Sequence, residues 1–232
     1  MKVAIPEPVS NLLLASFPRY ERGRILARCE PINLAYGTLL CEPDRLYRDV
    51  YFPLTACIAL VDSLRGHPPL EMLSIGNEGM LGATLLLGVS TVPLRAIVQS
   101  SGRAWRLPAS LLQRELADSP NLRRAIGRYL YATIKQISQT AACNYFHEVG
   151  PRLARWLLIA HDHAHADCFH LTHQSMADML GVQRSAITIA AGSLQKKNLI
   201  RYTRGEIHIL NRRGLEEASC ECYASLVEIG RK

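Results

Sequence analysis

Residues 172–195 read Thr-His-Gln-Ser-Met-Ala-Asp-Met-Leu-Gly-Val-Gln-Arg-Ser-Ala-Ile-Thr-Ile-Ala-Ala-Gly-Ser-Leu-Gln. Thr172 is a good helix N-cap, because its hydroxyl can accept from the open N–H groups of the first turn. Met176, Ala177, Met179 and Leu180 then give a short amphipathic helix. Gly181 allows the positive φ that ends it, and Val182 is an apolar plug in the turn. A second helix starts at Gln183 or Arg184, with Ile187, Ala190, Ala191 and Leu194 on its inner face. Two short helices joined by a glycine turn over an apolar plug predict a helix-turn-helix. The outer face of the second helix carries Gln183, Arg184, Ser185, Thr188 and Ile189, candidates for reading base edges in a major groove. The alternative is plain helical packing in the same geometry.

The residues that follow favour the first reading. Leu199 to Tyr202, a turn through Thr203 to Glu206, and Ile207 to Leu210 predict a β-hairpin, the wing of a winged helix. Between Arg184 and Arg213 lie seven basic residues and one acid, Glu206, a local charge of +6. Thr172, Lys196, Lys197, Arg201 and Arg204 are candidate phosphate contacts on this face, because cationic side chains and helix N-termini position a protein on the phosphate backbone.

Upstream, Ser119-Pro120 opens a predicted helix that runs to about residue 148, roughly 43 Å at 1.5 Å per residue. Ile126, Leu130, Thr133, Ile137, Thr140 and Asn144 recur at spacings of 4, 3, 4, 3 and 4. Such a heptad seam favours pairing with a second copy; the alternative is packing on the chain's own β-domain. Gly150-Pro151 ends the helix and starts another, Arg152 to about His163, and a polar stretch from His161 to His170 leads into the helix-turn-helix.

From about 30 to 110 short apolar runs alternate with turn residues. The runs are 38–40, 50–52, 57–61, 70–75, 96–98 and 104–107, and between them fall Glu42-Pro43-Asp44, Arg65 to Pro69, Gly76-Asn77-Glu78-Gly79 and Ser100-Ser101-Gly102. Many short strands predict a β-sandwich or roll. Residues 11–28 read as helical pieces broken by Pro18 and Gly23.

Composition sets the outer bounds. The 232 residues are 48% hydrophobic and 20% charged, with a formal charge of +7. That excludes a disordered chain and allows a polyanionic partner without requiring one. The longest near-apolar run, Met80 to Val89, is far short of the ~20 residues a membrane span needs. Seven scattered cysteines and an N-terminus with no apolar signal segment predict a cytoplasmic protein with reduced thiols.

In this order of parts, the chain resembles the Crp/Fnr family of bacterial transcription regulators over nearly its whole length. Thr172 to Ala177, Gly181 to Arg184 and Leu194 to Ile200 carry the resemblance most strongly, with Tyr36-Gly37-Thr38-Leu39-Leu40 and Val50-Tyr51-Phe52 similar to the family's first roll strands. It implies an α+β protein. Residues 1–118 would be a double-stranded β-helix (jelly-roll) sensor domain, 119–149 a dimerisation helix and 150–232 a winged helix-turn-helix. It also implies a homodimer on double-stranded DNA with a pseudo-palindromic operator, RNA polymerase as a further partner, no membrane association and no enzymatic activity. Gln174 would contact a phosphate and Arg184 would read a guanine, which suits the fit of guanidinium to O6 and N7. Two departures bear on specificity. Many members have Glu after that Arg and a basic residue further along; here the positions hold Ser185 and Ile189.

The sensor domain departs further. Cyclic-nucleotide binders of the family carry Gly-Glu to hold the ribose and a following Arg to neutralise the phosphate. Here Gly82 is followed by Ala83, and Leu94 stands at the Arg position with Arg95 one place late. A one-residue shift in a strand turns a side chain to the other face, and an apolar pocket does not hold a phosphate without that charge. The expectation is no response to cyclic AMP, and no cofactor or effector is named by the sequence.

Other chemistries are weaker. No tight cysteine cluster suggests an iron–sulfur centre, and haem ligation would rest on His67 alone. Cys220-Glu221-Cys222 reads as two small residues of a terminal helix pointing different ways. His161, His163, His165, His170 and His173, with Asp162, Asp167 and Cys168, fall within 13 positions. A metal-binding protein or metal-dependent enzyme using residues 161–173 is the alternative function; a solvated linker is the simpler reading. No catalytic or metal-ligating residue is assigned.

Overall fold

The computed structural model describes residues 10–164, 168–203 and 205–231. Two antiparallel sheets build the N-terminal part. One is β1 (Glu30–Leu34), β7 (Gly102–Pro108) and β3 (Asp49–Pro53), with β7 central. The other runs β2 (Leu39–Cys41), β6 (Arg95–Ser100), β4 (Cys57–Asp62) and β5 (Leu70–Ile75). Val50, Phe52, Ile58, Leu73, Ile75, Ala96, Val98, Ala104 and Leu107 are buried from both sheets and form one core. The mixed α+β architecture and β-sandwich read from the sequence are therefore present. The reading missed β1, because Glu30 to Leu34 contains Pro31. The strand lies at a sheet edge, where a residue without an N–H is tolerated.

Short helices α1 (Leu12–Ala15) and α2 (Arg19–Leu26) precede the sheets. Gly23 does not break α2 as expected but lies inside it. Pro108 opens α3 (Ala109–Asp118), whose buried Glu115 takes Arg24 and Arg28 at 2.7 Å each. Ser119 then caps α4 (Pro120–Phe146): its hydroxyl accepts from the Leu122 N–H at 3.0 Å, and Pro120 occupies the first turn, where a missing N–H leaves no bond unmade.

Within one chain, the heptad stripe expected to pair two copies is buried at two of its six positions. Ile126 is fully buried in the β-sandwich core and Thr140 is buried, while Leu130, Thr133, Ile137 and Asn144 are half-buried against the chain's own domains. Leu130 and Ile137 extend the packing of Ile126 on the sandwich, and Asn144 accepts from Arg152 at 2.9 Å. The apolar surface left open on α4 is one position later. Tyr131 (66% exposed), Ile134 (62%), Ser138, Ala141 and Tyr145 (82%) follow one another at spacings of 3, 4, 3 and 4.

The C-terminal part has its own core. Helix α5 (Val149–Ala164), α6 (His173–Leu180), α7 (Arg184–Lys196) and α8 (Arg212–Ala218) surround Leu153, Leu157, Met176, Ile187, Leu194, Ile207 and Leu215. A three-stranded sheet, β8 (Cys168–His170), β10 (Glu206–Ile209) and β9 (Ile200–Thr203), forms the wing, and α9 (Cys222–Arg231) returns to lie on α4. The stretch to His170, read as a polar linker, thus supplies a strand, paired Glu206 with His170 and Ile207 with Phe169.

This head is docked on the sandwich. The Trp156 indole N–H donates to Glu71 Oε2 at 3.1 Å, and Gln99 donates to the same oxygen. Glu71 is buried, and that burial raises its carboxyl above the ordinary range, against the donors from Trp156 and Gln99 and the charges of His163 and Arg155. His163 Nδ1 lies 3.4 Å from Cys57 Sγ and its Nε2 3.3 Å from Glu78.

Candidate nucleic-acid interface

The helix-turn-helix forms where the sequence places it. Thr172 and Ser175 make a reciprocal capping box: the Thr172 hydroxyl accepts from the Ser175 N–H, and Ser175 Oγ accepts from the Thr172 N–H, both at 3.0 Å. Gly181 ends α6 at φ 64°. Met176, Ala177 and Leu180 from α6 and Ile187, Ala190, Ala191 and Leu194 from α7 are buried against one another and α5. That packing fixes which face of α7 remains outside.

Gln183, Arg184, Ser185, Thr188 and Ile189 are all exposed, and Ile189 is 75% exposed. They lie in the first two turns of α7, the end that a recognition helix presents to base edges. The Thr188 hydroxyl donates to the Arg184 carbonyl at 3.0 Å and lies 3.0 Å from His173 Nδ1. His173 stacks on Tyr202 of the wing with ring centroids 4.3 Å apart, joining the start of α6 to β9. Burial, and then the charge of Arg184, push the His173 imidazole below its ordinary range, so this joint is uncharged near neutral pH.

Thr172, Gln174, Lys196, Lys197 and Arg201 are also exposed. Gln174 donates to Asp178 Oδ1 at 2.8 Å. Arg204 lies outside the described residues. The local positive charge is narrower than the count along the chain implies. Arg212 bonds Asp162, Glu216 and Tyr223, and Arg213 pairs with Glu217, so both charges are answered within the head. Arg184, Lys196, Lys197 and Arg201 are the exposed cations of this face, among the described residues, for which no ion pair is seen.

Among the described residues, the histidine side chains of this segment do not converge. His161 faces Arg212 at 2.6 Å, His163 reaches Cys57 and Glu78, and His173 reaches Tyr202. His165 and Asp167 lie outside the described residues, and nothing is stated of the Cys168 and His170 side chains. In the nucleotide cassette, Gly82 has φ 101° and the buried Ala83 starts a 3-10 turn, Ala83–Leu87. Ala96 and Val98 of β6 point into the core, so Arg95 belongs to the other face, where its Nε donates to Glu42 at 2.9 Å. Leu94 is half-buried.

One grouping escaped the sequence reading. Cys143, His147, Cys220 and Cys222 place their ligand atoms within 4.8 Å of one another. Cys220 precedes α9 rather than belonging to it, so the two thiols are not forced apart as neighbours two apart on a helix would be. The readable signal was Cys143 and His147, four apart and so one above the other at the end of a helix.

Residues 151–218 match the Crp-like helix-turn-helix domain. No curated protein sequence matches the chain. Solved structures with a similar fold include a Eubacterium rectale protein assigned to the Crp/Fnr family of transcriptional regulators (TM-score 0.69, 15% identity, 89% of this chain and 96% of that one). FixK2 from Bradyrhizobium japonicum is also similar (TM-score 0.69, 14% identity, 83% and 98%). So is CLP of Xanthomonas campestris, described as a c-di-GMP responsive global regulator (TM-score 0.66, 16% identity, 83% and 99%). Among the described residues no helix is long and apolar enough to cross a membrane. The C-terminal end of the chain thus carries a Crp-like helix-turn-helix domain, and most of its length shares the fold of solved Crp/Fnr-type structures.

Proposed function

We propose that the protein acts as a homodimer on a pseudo-palindromic operator, with α7 of each copy in successive major grooves. The observation that carries this reading is the exposed face of α7. It presents Arg184 at the helix start, Ser185, Thr188 and Ile189 beside it, and Lys196, Lys197 and Arg201 at its flanks. Arg184 reads a guanine, while Thr172, Gln174, Lys196, Lys197, Arg201 and Arg204 hold phosphates. Ser185 and Ile189 carry no charge, and Ser185 does not offer the charged carboxylate that Glu would present to a cytosine amino group, so the operator differs from that of relatives with Glu and a basic residue there. Contact with RNA polymerase rests on the family resemblance alone.

Dimerisation in this reading uses the open stripe Tyr131, Ile134, Ser138, Ala141 and Tyr145 together with the adjoining half-buried Leu130, Thr133, Ile137 and Asn144. Cyclic AMP is not the signal: Ala83 offers no carboxylate to a ribose, and Arg95 faces Glu42 rather than the core.

Selection of bound sites from random DNA, followed by binding of variants across a salt series, tests the reading. Arg184→Ala should weaken binding to the selected site far more than to random DNA. Lys196→Ala should weaken both alike and reduce the salt slope by about 1. Equal loss of selected and random DNA for Arg184→Ala would refute base reading by that residue.

A further inference from the structure

Four metal-ligating side chains outside the DNA face meet where α4 ends and α9 begins. Cys143 lies in the last turn of α4, and His147 caps that helix four residues on. Cys220 and Cys222 stand on either side of Glu221 at the start of α9. The Cys143 and Cys220 sulfurs are 3.6 Å apart, and Cys222 Sγ is 3.6 Å from His147 Nδ1. A tetrahedral zinc ion with Zn–S of about 2.3 Å and Zn–N of about 2.0 Å separates its ligands by roughly 3.5–3.8 Å. Both measured edges fall in that range. Cys143, Cys220 and Cys222 are 0%, 6% and 5% exposed and form a small buried group apart from the two cores.

The surroundings suit a thiolate-bound cation. His147 Nε2 lies 3.1 Å from Glu221 Oε1. An Nε2–H donated to that carboxylate leaves the Nδ1 lone pair facing the sulfurs, the arrangement in which a second carboxylate orients a metal-bound imidazole. Arg155 is 5% exposed, and its Nε and Nη1 have no hydrogen-bond partner among the described residues. Its charge acts on all three thiols. Three thiolates, a neutral imidazole and a divalent ion sum to −1, which the Arg155 guanidinium balances. A buried guanidinium with open donors is otherwise expensive.

We propose that Cys143, His147, Cys220 and Cys222 form a closed tetrahedral site for a zinc-class divalent cation, which clamps the last helix of the DNA-binding head to the end of the long helix. Four protein ligands leave no open position for substrate, so the role is structural. Binding displaces the thiol protons into solvent. A polynuclear iron–sulfur cluster would hold its thiolates apart by the width of its own inorganic core, which four ligand atoms within 4.8 Å do not allow.

The test uses the full-length, tag-free protein made in zinc-supplemented medium and purified with reductant and without chelator. Elemental analysis should give one zinc per chain. Exchange for cobalt(II) should give the visible bands of a tetrahedral centre and a thiolate charge-transfer band. Cys222→Ser should weaken or remove those bands, and Cys29→Ser, whose thiol is remote from the group, should keep them. Where Cys222→Ser does not fold, the stoichiometry and cobalt spectrum of the unaltered protein decide alone. Less than about a tenth of an ion per chain with no cobalt bands under reducing conditions overturns the proposal, as does an octahedral cobalt spectrum. Isolation of a Cys143–Cys220 disulfide that persists in reductant and excludes zinc overturns it too. None of these readouts involves DNA, so they stand or fall separately from the proposed operator binding.

Discussion

Trp156→Phe should weaken the contact between the DNA-binding head and the sandwich by removing one hydrogen bond. The indole N–H donates to Glu71 Oε2 at 3.1 Å, with Trp156 5% exposed and Glu71 9% exposed. A hydrogen bond to a charged group contributes about 1.5–3 kcal/mol, and one to a neutral amide about 0.5–1.5 kcal/mol. The substitution also shrinks a buried ring, so its raw effect mixes packing with bonding. A double-mutant cycle with Glu71→Gln removes the packing part. Trp156→Phe should cost about 1–2 kcal/mol more in the otherwise unaltered protein than in the Glu71→Gln background, measured by urea denaturation near pH 8. Burial raises the Glu71 carboxyl above its ordinary value near 4.5 in the folded chain. A carboxyl raised on folding contributes stability at low pH that is lost as pH climbs from its unfolded value through its folded one. The amide introduced by Glu71→Gln does not titrate, so the stability of that variant relative to the unaltered protein should rise with pH from about 4.5 upward. Additivity of the two substitutions within about 0.5 kcal/mol, together with parallel pH profiles, would refute the account of this contact.

Further outcomes follow from other elements. Ile134→Glu, at a position 62% exposed, should leave the fold intact and shift the protein to a monomer by light scattering if the open stripe of α4 is the seam. Isothermal titration with cyclic AMP should show no micromolar binding, and tight binding with a cyclic-phosphate contact to Arg95 would overturn the reading of the cassette. Ser119→Ala removes the α4 cap and should lower stability by about 1 kcal/mol in thermal or urea melts. Gly82→Ala should destabilise as well, since φ is 101° and an added Cβ would lie 2.5 Å from Val50 Cγ1.

The helix-turn-helix was readable because local rules coincide there: a capping hydroxyl at Thr172, a positive-φ glycine at 181 and two short apolar faces that need each other. The sandwich strands were readable from turn residues, except where Pro31 masked an edge strand. Helix α4 shows where such reading stops. Its helical period was plain, but it carries two apolar stripes a single residue apart, one through Ile126 and Ile137 and one through Tyr131 and Tyr145. Periodicity does not say which of them a neighbouring sheet will cover. The thiol–imidazole group was hidden for a related reason. Cys143 and Cys220 are 77 positions apart, and they meet only because α9 folds back onto α4. His161, His163 and His173, close along the chain, face Arg212, Cys57 and Tyr202 respectively.

Only two tryptophans occur in the chain, Trp105 on β7 and Trp156 on α5. Trp156 sits at the joint between sandwich and head, its ring shielded from water and its N–H held by a carboxylate. In a Trp105→Phe background the protein therefore carries a single intrinsic fluorophore at the joint. Loosening of the head would move that indole into water and shift its emission to longer wavelength, so the docking equilibrium can be followed optically without a label. Any small molecule, redox change or DNA fragment that alters the joint would be reported by colour.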